Sequence, residues 1–195
     1  MTFPRPLCAL ALLTAVAMVS SPGISGQTQK IDVKQSSFKI SVFKSGFFSA
    51  FGHNHEIQAP ISGGTVDQSK LSVALSVRSA DLRVLDPEAS PSTRADVQKT
   101  MLGPEVLDSG RFPQISFQST SIEASGSSHW RVRGDLTLHG QTKPLTLDVT
   151  LENGHYRGSL MLKQRDFGIA PVSVAGGTVK VKNEIKIEFD IALEP

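Results

Sequence analysis

Cysteine is all but missing from this chain. The single one, Cys8, sits near the amino end, so no intramolecular disulfide can brace the fold and stability must come from a packed core. About 170 residues follow the leader described next, enough for one domain to bury such a core. No apolar run reaches the about 20 residues that a bilayer-spanning helix needs. The longest, Leu7 to Val19, follows Arg5 and the free amino terminus and precedes small residues, the order of a secretory signal peptide. Residues 1–26 are expected to be cleaved off after Gly26. That leaves 27–195 as one exported domain, periplasmic or secreted, without a transmembrane span; a retained anchor is the competing reading. Cys8 lies at the wrong end of the run for lipoprotein processing.

Other absences narrow the function. The 20 Lys and Arg are mixed with 18 Asp and Glu, and no basic block is interleaved with aromatics, so nucleic acid has no electrostatic foothold. No Gly-x-Ser-x-Gly elbow occurs, so Asp166, His139 and the serines do not read as a hydrolase triad. No catalytic residue and no cofactor is expected. No internal repeat and no linker divides the chain.

What is present is alternation. From Val179 to Leu193, apolar residues (Val179, Val181, Ile185, Ile187, Phe189, Ile191, Leu193) alternate with Lys180, Lys182, Glu184, Lys186, Glu188 and Asp190. Successive side chains of a strand point to opposite faces, so this is one long strand with an oily face and a charged one, Asn183 interrupting the oily side. The same period appears in Leu71–Val77, in Leu145–Leu151, and in Trp130–Leu138 around a possible bulge at Gly134. Further strands are expected at Phe38–Val42, 53–62, Ile115–Phe117 and Tyr156–Leu162. Turn signals separate them at 62–64, 124–128, 139–144 and 152–155. About eight short-linked strands indicate an all-β antiparallel sandwich or barrel.

One segment departs from this period. Ser90 as N-cap, Pro91 at the first helical position and a Gly103-Pro104 stop predict a helix over about 91–102, with Val97, Met101 and Leu102 facing the body of the protein. A second short turn or helix is expected through Glu105–Leu107. A lone helix beside a barrel closes an end or caps an open edge. Eight strands enclose an interior that side chains can just fill, or that holds one slender ligand. Composition alone favours the filled core.

The segments RFPQISFQSTSIE (111–123), RGDLTLHGQTKPLTLDVTL (133–151) and RDFGIAP (165–171), in this order and spacing, resemble the YceI-like family, and the likeness runs from about Ile31 to Leu193. The resemblance implies an extended lipocalin-like barrel in an exported bacterial protein. It also implies a long apolar tunnel for a polyisoprenoid or isoprenoid-quinone lipid, and the possibility of a homodimer. In this chain such a tunnel would draw on Phe43, Phe47, Phe48, Phe51, His53, His55, Leu75, Met101, Leu102, Phe117, Leu147 and Phe167.

The stretch FGHNHEI leaves three readings open. His53 and His55 on an extended chain share a face, with Glu56 on the other. They are a metal-binding pair that still needs a third ligand, from His139, His155 or a partner subunit, or contacts to a polar ligand head, or a structural pair. The cupin arrangement, with a more distant Glu and a second His motif, is not present. Arg94 and Lys99 could meet a diphosphate, but solvated helix charges explain them as well. Arg165 and Asp166 are expected to tie down the chain between two strands.

Overall fold

The computed structural model describes residues 28–45, 54–174 and 179–195. The expected signal peptide, Phe47, Phe48, Phe51 and His53 lie outside the described residues. Twelve strands, all paired antiparallel, form one curled sheet: β1 (Thr28–Lys30), β2 (Ser37–Ser45), β3 (His55–Pro60), β4 (Gly63–Asp67), β5 (Ser72–Arg78), β6 (Arg83–Val84), β7 (Gln114–Gly126), β8 (His129–Leu138), β9 (Gln141–Glu152), β10 (His155–Lys163), β11 (Ser173–Val174) and β12 (Val179–Ala192). The expected eight strands correspond to eight lanes. β1 pairs with β4, Ile31 bridges to Leu193, and β2 then pairs with both β12 and β3, so β1 and β2 are two halves of one lane. β3 and β4 are likewise one lane broken at Ile61-Ser62. With β5, β7, β8, β9, β10 and β12 the ring closes, because the first lane pairs on both of its sides. β6 and β11 are short additions.

The ring is zipped near one end and parted at two seams near the other. β5 pairs with β4 but not with β3, which pairs instead with the two residues of β6. The helix α1 (Pro91–Leu102) backs this seam: Val84 N–H donates to Gln98 Oε1 and Gln98 Nε2 donates to the Leu82 carbonyl, so one side chain replaces a neighbouring strand. Ser90 caps α1 by accepting from Thr93 N–H, with Pro91 in the first turn and Gly103 as C-cap. At the second seam, β9 pairs with β10 only through Val149–Glu152. A single 3-10 turn, Gln164–Phe167, fills the gap and buries Phe167 to 1% exposure. Asn183, the interruption on the oily face of β12, sits in a bulge and accepts from Arg165 N–H at 3.0 Å, tying that turn down.

Turn chemistry sets the hairpins. Asn153 and Gly154 both take positive φ between β9 and β10, as do His139 and Gly140 between β8 and β9, the conformation that matches the twist of paired strands. Only His139 and Gly140 of the expected 139–144 turn are turn residues. β9 starts at Gln141, and Pro144 is tolerated because β9 has only β8 beside it there. The 62–64 signal is likewise no full turn, since Gly63 and Gly64 begin β4. Gly134 does mark a register shift, opposite Ser119–Ser121, and it leaves room for an aromatic ring: a Cβ there would lie 2.4 Å from Phe117 Cζ.

Candidate functional site

Alternation turns one row of every lane inward. Phe38, Ile40 and Val42 from β2 pair with Phe189, Ile187 and Ile185 from β12, and Leu145, Leu147, Val149 and Leu151 continue the wall on β9. The outward rows are laced by ion pairs, among them Lys39–Glu56, Arg131–Asp148 and Lys186–Glu188. The inward rows do not fill the barrel. They enclose a cavity of about 540 Å³, within the roughly 300–1,000 Å³ of ligand sites and well above the ~150 Å³ of an engineered void that stays dry. Nearly all of its wall is hydrocarbon.

The two ends differ. At the helix end, Met101, Leu107, Leu138, Leu162, Phe167 and Ile169 join one buried cluster, with Gln164 and the exposed Lys163 also in the wall. Gln164 is occupied, since its Nε2 donates to the Lys182 carbonyl at 2.8 Å. At the hairpin end, Ile31, Phe189 and Ile191 form a second cluster with Tyr156 and Leu75 against it. The β4–β5 turn brings Asp67, Gln68, Leu71 and Ser72 into the wall there. Hydrogen bonds from the Ser69 hydroxyl and Lys70 N–H, joined by Thr28, hold the Asp67 carboxyl far below the usual carboxylate range despite its burial. Leu71 stands 53% exposed at positive φ beside this opening.

Of the residues expected to contact ligand, Leu75, Met101, Phe117, Leu147 and Phe167 line the cavity. Leu102 packs against the core cluster without reaching it. Phe43 does not line it either, because it alternates with Val42 and therefore takes the opposite face of β2. His55 pairs with the cavity-lining Val42 and so heads the inner row of β3, above Ile57 and Ala59, while Glu56 takes the outer face and its ion pair with Lys39. The His55 ring is held: its Nδ1 lies 2.7 Å from Asp86 Oδ2, and Asp86 Oδ1 accepts Glu56 N–H at 2.8 Å. Asp86 is buried, at positive φ, and its carbonyl accepts from Arg94. Arg94 thus has a structural partner.

The other two turn histidines go elsewhere. His139 Nδ1 meets the Phe167 carbonyl at 3.1 Å, with its ring against Phe112. His155 Nδ1 bonds Asp190, which Arg157 also holds at 2.9 Å. Burial pushes the Asp190 carboxyl up, but the bonds from His155 and Arg157 outweigh it and the net shift is downward. Among the described residues no three His, Cys, Asp or Glu converge as metal ligands, and no helix is long and apolar enough to cross a membrane. Asp86, Gln98 and the β4–β5 turn were not singled out from the sequence. Trp130 and Tyr156 were assigned to inward rows but not to a site. Their alternation with polar neighbours was the available signal.

Comparison with known proteins places this architecture. UPF0312 proteins of Vibrio cholerae serotype O1 are 28% identical over 132 residues, 63% of this chain and 66% of theirs, just under two thirds of their length. The crystal structure of Burkholderia cenocepacia BcnA superposes with a TM-score of 0.59 at 19% identity, covering 83% of this chain and 98% of that one. A polyisoprenoid binding domain from Saccharophagus degradans, implicated in plant cell wall breakdown, gives 0.57 at 13% identity, covering 85% and 97%. At these identities the two structures share the fold. The sequence itself matches the YceI-like domain across residues 29–193, and the chain belongs to the YceI-like family.

Proposed function

We propose that this protein is an exported carrier or store that holds a long apolar lipid, of the polyisoprenoid or isoprenoid-quinone type, inside its barrel, and that it acts by binding rather than by catalysis. The observation that carries the reading is the cavity: about 540 Å³ walled almost entirely by hydrocarbon and running between two differently built ends. Burial of an apolar tail there is worth ~0.8 kcal/mol per CH₂, and among the described residues no set of groups for covalent chemistry lines the wall. The fold shared with the polyisoprenoid binding domain of Saccharophagus degradans supports the same ligand class. Export is supported by the order of charge, apolar run and small residues in 1–26.

The test is direct. Protein purified from its own source is extracted with organic solvent, and the extract is analysed by mass spectrometry beside a zinc and copper determination on the intact protein. A stoichiometric long-chain lipid is expected. A lipid-free barrel with near-stoichiometric metal, lost in a His53→Ala, His55→Ala double variant, would replace this reading with a metal-binding one.

A further inference from the structure

The chain has one tryptophan and one tyrosine. Both lie in the cavity wall, and they touch: the rings of Trp130, at the start of β8, and Tyr156, at the start of β10, are 5.8 Å apart and tilted by 54°. Neither makes a hydrogen bond with the described residues. Both side chains are half-buried, and their polar atoms are open to a ligand rather than sealed, since no buried side-chain nitrogen or oxygen among the described residues lacks a partner. They stand in a wall that is otherwise nearly all hydrocarbon, at the hairpin end, near the ends of their strands opposite to Leu138 and Leu162.

We infer that Trp130 and Tyr156 form the head-group subsite of the cavity, taking a flat ring that carries carbonyl oxygens while the aliphatic tail runs toward Met101 and Phe167. This rests on the lipid-binding reading and specifies the ligand's direction and head. The indole can only donate, so the matching group accepts. A planar head can stack offset on one of the two rings and meet the other edge-on. A phosphate or diphosphate fits this end poorly, because among the described residues the one charged side chain in the wall there is the anion Asp67, already bonded to Ser69 and Lys70. The wall's cation, Lys163, is at the other end.

Trp130, as the sole tryptophan, also reports on its own site. The delipidated full-length mature protein is titrated with three probes of similar tail length: a quinone bearing a short isoprenoid tail, the matching prenyl diphosphate, and a plain hydrocarbon. Binding is followed both by Trp130 emission and by the shift in melting temperature. The quinone is expected to bind more tightly than the other two and to quench Trp130 strongly, with the hydrocarbon raising the melting temperature while quenching little. Tyr156→Phe, which removes one oxygen, is expected to weaken the quinone about five- to tenfold, the value of one hydrogen bond, and to leave the hydrocarbon unchanged. Quinone binding without quenching, equal weakening of all three probes by Tyr156→Phe, or tighter binding of the diphosphate would overturn the assignment. If none of the three binds, the lipid-binding reading itself fails, and this subsite with it.

Discussion

Emptying the barrel is the perturbation with the largest expected effect. At about 24 cal/mol per Å³, an unfilled cavity of 540 Å³ corresponds to about 13 kcal/mol, on the scale of a whole domain's stability of roughly 5–15 kcal/mol. That figure is an upper bound, because the ends admit water and the walls relax inward, but it is far too large to vanish. Delipidated protein should therefore melt well below the loaded form. Adding back a ligand at about 100 times its dissociation constant contributes about 2.7 kcal/mol, which for a domain of this size is a rise of about 5–10 °C. The assay is calorimetry on native, extracted and reloaded protein. Leu75→Trp and Leu147→Trp, which place a large ring inside the cavity wall, should abolish the rise on reloading and raise the melting temperature of the extracted form. Equal melting of native and extracted protein, with both variants responding to ligand like the wild type, would show that the cavity collapses to a filled core and refute the reasoning.

Two further outcomes follow from the packing. Met101 is 6% exposed where α1 meets the cavity, so Met101→Asp should cost about 2–5 kcal/mol in denaturant unfolding and speed loss of bound lipid. Lys99→Ala, two residues earlier on the exposed side of the helix, should stay within about 0.5 kcal/mol of wild type. Because His155 and Arg157 hold the Asp190 carboxyl below its ordinary value, the unfolded chain takes up that proton first. The resulting stability is complete above the ordinary aspartate range near pH 4 and is lost as pH falls through the lowered value. Stability curves of wild type and Asp190→Asn should thus differ at neutral pH and converge in acid; parallel curves would remove the pair from the pH response.

What depends on neighbours in sequence was legible in advance. Period-two rows placed Ile185, Ile187 and Phe189 inward and Lys180 and Lys182 outward. Ser90, Pro91 and Gly103 bounded α1 to the residue, because capping and proline geometry act within one turn. Phe43 shows the limit of composition: a dense aromatic cluster suggested a tunnel wall, but one step of alternation puts that ring on the other face of β2. Leu102 differs from Met101 by the rotation of a single helical residue.

Most lanes, their two faces, the bounds of α1 and the Asn153-Gly154 turn are thus local properties, since each follows from dihedral preference and side-chain period. Long-range pairing makes β1 and β2 share one lane, brings Ile31 to Leu193 to close the ring, and sets Gln98 and Phe167 over the two seams. The tertiary structure also decided that the barrel is hollow. Whether inward rows fill an interior depends on the ring's radius against the summed volume of side chains brought together from all eight lanes, and neither quantity is a property of any one segment. The meeting of Trp130 with Tyr156, and of His55 with Asp86, is of the same kind: register across the sheet brings the first pair together, and the loop after β6 carries Asp86 back to β3, neither of which spacing along the chain contains.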